Sequence, residues 1–135
     1  ITSAYGAIAN NGIYNSPTSI THIEDQHGRV IKKFIPNQEE VNKESINYIL
    51  IDMMKDVIDS GTGNKIRWKY KFQAPLAGKT GTTNRMTDAW FIGFTPQIAI
   101  GVWVGVDDPS ISLGKNQYGS VAALPIFGKG RVIDL

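Results

Sequence analysis

Lys79-Thr80-Gly81-Thr82-Thr83, followed by Asp88-Ala89-Trp90-Phe91-Ile92-Gly93-Phe94-Thr95-Pro96 and then Gly101-Val102-Trp103-Val104-Gly105-Val106-Asp107-Asp108-Pro109, is the stretch that decides how this chain folds. β-Branched and aromatic residues crowd it, and Thr95-Pro96-Gln97 interrupts its most apolar part. The pattern predicts three strands, roughly Ala74–Thr83, Asp88–Phe94 and Ile98–Val106, with loops short enough for an antiparallel meander. Side chains alternate along a strand, so Trp90, Ile92 and Phe94 share one face and Phe91 and Gly93 the other. Apolar residues on both faces predict a sheet covered on both sides.

The same alternation puts Lys79 and Gly81 on one face of the first strand and Thr80 and Thr82 on the other. A ligand that engages both threonines therefore needs this strand at a sheet edge, where it can approach from the side. Gly81 carries no Cβ and lets a ligand lie close to the backbone. An ammonium, two hydroxyls and a bare backbone suit an anionic ligand. The competing reading is a solvated lysine on an ordinary strand, since a short motif matches often by chance.

Upstream, Ser3 to Asn10 reads as the end of a helix stopped by Asn10-Asn11-Gly12. Residues 18–36 read as a peripheral hairpin, Ser19–Glu24 and Arg29–Ile35 around Asp25-Gln26-His27-Gly28. Residues 43–60 are predicted to be an amphipathic helix, with Ile46, Ile49, Leu50, Met53, Met54, Val57 and Ile58 as one buried stripe. Ser60-Gly61-Thr62-Gly63 closes it. The basic and aromatic run Asn64 to Phe72 could bind single-stranded nucleic acid, but nine residues without a second patch favour a solvated loop. Residues 107–135 form a polar tail, where Gly128 and Gly130 disfavour helix. The fold class is α+β, an antiparallel meander (residues 74–106) with packed helices.

This ordered set of motifs resembles the transpeptidase domain of class A high-molecular-mass penicillin-binding proteins, from about Ala4 to about Phe127. The related serine β-lactamases share the Lys-Thr-Gly strand, but not the Asp-Ala-Trp-Phe-x-Gly continuation. The resemblance implies the C-terminal portion of a serine D-Ala-D-Ala transpeptidase domain that cross-links peptidoglycan and is acylated by β-lactams. It implies that Lys79 is catalytic, supplying positive charge to the proton network, and that Thr80, Gly81 and Thr82 bind substrate. The two threonine hydroxyls would hold a terminal carboxylate, and the Thr82 N–H would form half of an oxyanion hole. Of the three motifs around the family's nucleophile, Ser-x-x-Lys, Ser-x-Asn and Lys-Thr-Gly, only the last stands in its proper context.

That leaves the nucleophile outside this chain, which alone is expected to be inactive. Its expected partners are peptidoglycan stem peptides, β-lactams, the rest of the parent domain and, by self-association, a second copy of itself. A non-catalytic ligand-binding or scaffolding relative is the alternative. No cofactor is implied. The parent is expected at the extracytoplasmic face of the bacterial membrane, its anchor outside the 135 residues given.

Two literal matches are rejected. Ser112-Leu113-Gly114-Lys115 follows the Lys-Thr-Gly strand instead of preceding it, and Gly114 and its polar surroundings indicate surface. Ser45-Ile46-Asn47 begins the amphipathic helix, where Ser45 reads as an early-helix or capping residue. Gly78-Lys79-Thr80 is not a P-loop, because Gln73 stands where a glycine is needed and no helix follows. A net charge of +2 is too small to indicate nucleic acid. No cysteine is present, so thiolate chemistry is excluded. His22 and His27, on the hairpin without a carboxylate cluster, make a metal site unexpected.

Overall fold

The computed structural model describes residues 1–130. Its centre is an antiparallel three-stranded sheet of β5 (Ala77–Thr82), β6 (Asp88–Phe94) and β7 (Ala99–Gly105), in that order. Register is continuous: Thr80 lies opposite Phe91 and Phe91 opposite Val102, so these three point to one face. That face carries the core. Phe91 is fully buried and meets Phe127 edge-on at 4.8 Å, packed with Ile58, Ile66, Leu76, Ala123 and Leu124. These residues come from the end of α2 (Glu44–Asp59), from α3 (Lys65–Trp68), from the approach to β5 and from α4 (Leu124–Lys129).

The opposite face is covered by α1 (Thr2–Ala9), with Tyr5 against Phe94 at 6.4 Å and Thr2 over Gly101. The sheet is therefore covered on both sides, as its apolar faces require. Beyond α1 the cover ends, and the tilted pair Trp90–Trp103 occupies that part of the face, with Trp103 exposed.

A hairpin forms from β2 (His22–Glu24) and β3 (Val30–Lys33), turned by Asp25, whose carboxylate accepts from the N–H groups of His27 and Arg29. A second pairing, β1 (Ile13–Asn15) with β4 (Gln38–Glu40), encloses it. Sequence reading missed this pairing because strands of three residues carry too little alternation to register.

Three expectations need correction. In α2, Ile46, Ile49 and Met53 are more than half exposed, while Asn47, Leu50, Ile51, Met54 and Ile58 turn inward. The apolar stripe is wider than the buried face, because a buried amide takes part of the inner surface. Residues 65–68 form a helical turn, not a loop: Ile66 is fully buried, and Arg67 bonds Asp59 and the carbonyls of Phe72 and Ala74. Finally, residues 124–129 are helical despite Gly128. A Cβ there would lie 2.6 Å from the Tyr70 ring, so the glycine is what lets that ring pack on α4. Arg131 to Leu135, the end of the expected tail, lie outside the described residues.

Candidate functional site

β5 pairs only with β6 among the described residues, which places Lys79–Thr82 on a sheet edge. Six residues containing two glycines and a lysine have weak strand preference. The strand is held instead by its neighbours. Gly78 lies so close to β6 and α2 that a Cβ would sit 2.6 Å from the Ile92 carbonyl and 3.1 Å from Ile58.

The exposed Lys79 donates from Nζ to the Thr80 carbonyl at 2.8 Å. Thr80 and Thr82 face the same side. The Thr80 hydroxyl meets the Thr62 hydroxyl at 2.8 Å, and the Thr82 hydroxyl accepts from the Gly119 N–H at 3.0 Å. Gly119 lies against the sheet where a Cβ would be 2.2 Å from the Trp90 carbonyl and 2.6 Å from that of Gly81. Lys79, Thr80, Gly81 and Thr82 are thus consecutive on one open edge, with both hydroxyls hydrogen-bonded to other segments of the chain.

The turn beyond the strand is pinned by a polar network. Thr83 Oγ1 accepts from the N–H groups of Thr87 and Asp88, both at 3.0 Å. Asp88 in turn accepts from the Trp103 indole N–H at 2.9 Å and the Thr87 hydroxyl at 2.8 Å. The indole bond, then those from Thr87 and Thr83, hold the Asp88 carboxyl below its ordinary pKa against a smaller opposing effect of burial.

The rejected matches lie elsewhere. Ser112 is exposed, its hydroxyl donating to the Met86 carbonyl at 3.4 Å and accepting from the Gly114 N–H at 3.1 Å. Ser45 is the second residue of α2, which has Lys43 as its N-cap and no side-chain cap. Asn47 is buried, donating to the Ile8 carbonyl at 3.2 Å and the Ala7 carbonyl at 3.5 Å and accepting from Asn42 at 2.7 Å. It is a fastener between α1 and α2. His22 contacts Glu24 at the surface, and no cluster of three or more metal-ligating side chains occurs among the described residues. No helix among them is long and apolar enough to cross a membrane.

A cleft of about 420 Å3 opens at the other end of β5, between Asn10, Asn11, Lys55 and the Thr95-Pro96 turn. It borders Ala77 but none of residues 79–82. Sequence reading passed over Thr62 and Gly119 as neighbours of the site. The signal for Thr62 was only its place in Ser60-Gly61-Thr62-Gly63, one of the motifs that carry the resemblance, and Gly119 gave no signal.

The family profile described as "Penicillin binding protein transpeptidase domain" matches residues 1–129. The chain belongs to this family. Among curated relatives of the transpeptidase family, penicillin-binding protein 1A of Aquifex aeolicus is 41% identical over 127 residues, covering 94% of this chain and 17% of that protein. Penicillin-binding protein 1A of Rickettsia prowazekii is 38% identical over 150 residues, covering 94% of this chain and 19% of that protein. The chain thus spans under a fifth of the length of these relatives.

The α+β architecture is that of transpeptidase domains. Penicillin-binding protein 1A from Haemophilus influenzae superposes with a TM-score of 0.86 at 21% identity, over 94% of this chain and 24% of that one. Penicillin-binding protein A from Mycobacterium tuberculosis, as its imipenem acyl-enzyme complex, superposes with a TM-score of 0.65 at 21% identity, over 94% of this chain and 30% of that one.

Proposed function

We propose that this chain is the C-terminal portion of the transpeptidase domain of a class A penicillin-binding protein and carries one wall of its active site. The observation that carries the reading is the edge position of β5, which leaves Lys79, Thr80, Gly81 and Thr82 open to a ligand from the side. In the proposed reaction a serine from outside this chain attacks the carbonyl of the penultimate residue of a D-Ala-D-Ala stem peptide. The terminal D-Ala leaves, and an acceptor amine of a second stem peptide then displaces the serine to complete the cross-link. β-Lactams acylate the same serine by ring opening.

In this site Lys79 supplies charge to the proton transfers, and Thr80 and Thr82 donate to the substrate's terminal carboxylate. The Thr82 N–H is half of the oxyanion hole, where one fixed donor contributes about 3–4 kcal/mol of transition-state stabilisation. The Mycobacterium tuberculosis protein in its imipenem complex is an acyl-enzyme, which supports β-lactams as ligands. The site works at the extracytoplasmic face of the membrane, where its peptidoglycan substrate lies, in a parent anchored by segments other than this one.

Labelling the full-length parent with a fluorescent penicillin tests the reading. The parent should label at a single serine. Lys79→Ala should abolish labelling, while Thr82→Ala should slow it by about 10–100-fold, the loss of one hydrogen bond to a charged group. Absence of labelling in the wild type would favour a non-catalytic relative of the fold. Unchanged acylation rates in both variants would remove the site from β5.

A further inference from the structure

We propose that Thr62 is a positioning residue for carboxylate recognition: it donates its hydroxyl proton to Thr80 and so turns the Thr80 proton outward toward the ligand. The inference rests on the reading above, in which Thr80 and Thr82 bind a carboxylate.

The argument begins with how Thr62 is mounted. Helix α2 ends at Asp59, and the chain folds back over its last turn, with the Ser60 and Gly61 N–H groups bonded to Asp56 and that of Gly63 to Val57. A Cβ on Gly61 would lie 2.8 Å from the Val57 Cα, and one on Gly63 would lie 2.9 Å from Ile58 Cδ1. At position 61 a larger residue would have to displace the backbone of α2, and at position 63 it would crowd the Ile58 side chain and the Val57 carbonyl. Thr62, between them, is the one residue of the turn whose side chain reaches β5, at 2.8 Å from Thr80 Oγ1.

Either hydroxyl can donate in that bond, and proton counting shows which direction serves an anionic ligand. A threonine hydroxyl has one proton and can accept twice. If Thr80 donated to Thr62, it would have no proton for an anion, and its lone pairs would face the carboxylate. If Thr62 donates, Thr80 accepts from behind and donates in front. Thr62 makes no other hydrogen bond among the described residues, so its proton is free for this use. The second hydroxyl is arranged in the same sense without ambiguity, because the Gly119 N–H can only donate to Thr82 Oγ1. Both hydroxyls thus receive a proton from the protein side, one from a side chain and one from the backbone, and each keeps its own for the ligand. Chained donors of this kind polarise one another, which strengthens the outer bond.

The test uses the full-length parent and its acylation rate by benzylpenicillin, compared with the methyl ester of the same compound, in which the carboxylate charge is removed. Thr62→Val, isosteric but without a hydroxyl, should slow acylation by benzylpenicillin about five- to tenfold and acylation by the ester less than twofold. Thr62→Ser should restore the wild-type rate, and Thr62→Ala should reproduce the valine variant if the valine folds poorly. Adding Thr62→Val to Thr80→Val should cost nothing further with benzylpenicillin, since the relay is already broken.

Equal slowing with both compounds would mean that Thr62 only supports the loop, and would overturn the proposal, as would wild-type rates in Thr62→Val. A wild-type parent that neither compound acylates would instead remove the functional reading itself, and this inference with it.

Discussion

Asn47 offers a direct way to separate a structural amide from a catalytic one, because it completes a literal Ser-x-Asn match yet lies buried between two helices. Its side chain donates to the Ile8 and Ala7 carbonyls at the end of α1 and accepts from Asn42. Replacement by alanine removes one well-made bond to Ile8, a long one to Ala7 and the acceptor for Asn42. It also strands carbonyls that no water can easily reach, given a residue only 1% exposed. A net hydrogen bond contributes about 1 kcal/mol and an unsatisfied buried group costs about 1–3 kcal/mol, so the expected loss is about 2–4 kcal/mol.

For a domain of roughly 150–250 residues each kcal/mol moves the melting midpoint by about 2–4 °C, so Asn47→Ala should lower it by about 4–16 °C. The assay is calorimetry of the full-length parent beside its penicillin acylation rate, measured below the lowered midpoint. Acylation of the folded variant should stay within about threefold of wild type. An unchanged midpoint with acylation lost would refute the reasoning, and would return Ser45-Ile46-Asn47 to the list of catalytic motifs.

Three further outcomes are expected. The isolated chain should form no covalent adduct with penicillin, since Ser112 is an exposed loop hydroxyl bonded to a backbone carbonyl; intact-mass analysis showing a stoichiometric adduct would contradict this. The network at Asp88 should be insensitive to pH from neutrality down to about pH 4 and be lost below it, because a carboxyl with a lowered folded pKa stabilises the fold when ionised and ceases to as pH falls through that value. Trp103 fluorescence should follow that acid transition, and Asp88→Asn should abolish it; an identical transition in the variant would assign it to another group. The isolated chain should also self-associate through the exposed Ile46, Ile49 and Met53 of α2 and through Trp103, and sedimentation showing a stable monomer at high micromolar concentration would refute this.

That last expectation shows where sequence reading succeeded and where it failed. The meander was legible because strand alternation and the Thr95-Pro96 break are local signals, and β6 and β7 follow them closely. Which apolar residues stay uncovered was not legible. Of the sheet's aromatics, Phe91 and Phe94 are buried by Phe127 and by α1 and Trp103 stays exposed, while three residues of the predicted helix stripe face outward. Periodicity reports that a face is apolar, not what lies against it. Gly128 failed in the same way: its helix preference is poor, but the Tyr70 ring sets the outcome.

The candidate site lies at the far end of this scale, since β5 has little of its own to specify a strand. Ala-Gly-Lys-Thr-Gly-Thr offers no aliphatic side chain beyond alanine for the core, and an edge position gives it one hydrogen-bonded neighbour instead of two. An open edge also invites pairing with another chain, and larger side chains there would strengthen such pairing or close the approach to a ligand. The strand is placed from outside instead: Gly78 wedged between α2 and β6, Thr80 tied to the end of α2 through Thr62, Thr82 tied to Gly119, and Thr83 tied to Asp88. The ties come from the end of α2, from β6 and from the loop at Gly119, and together they span residues 58 to 119. A Lys-Thr-Gly tripeptide in isolation therefore carries almost no information about function, whereas here four such ties hold the same tripeptide at a sheet edge with its lysine exposed.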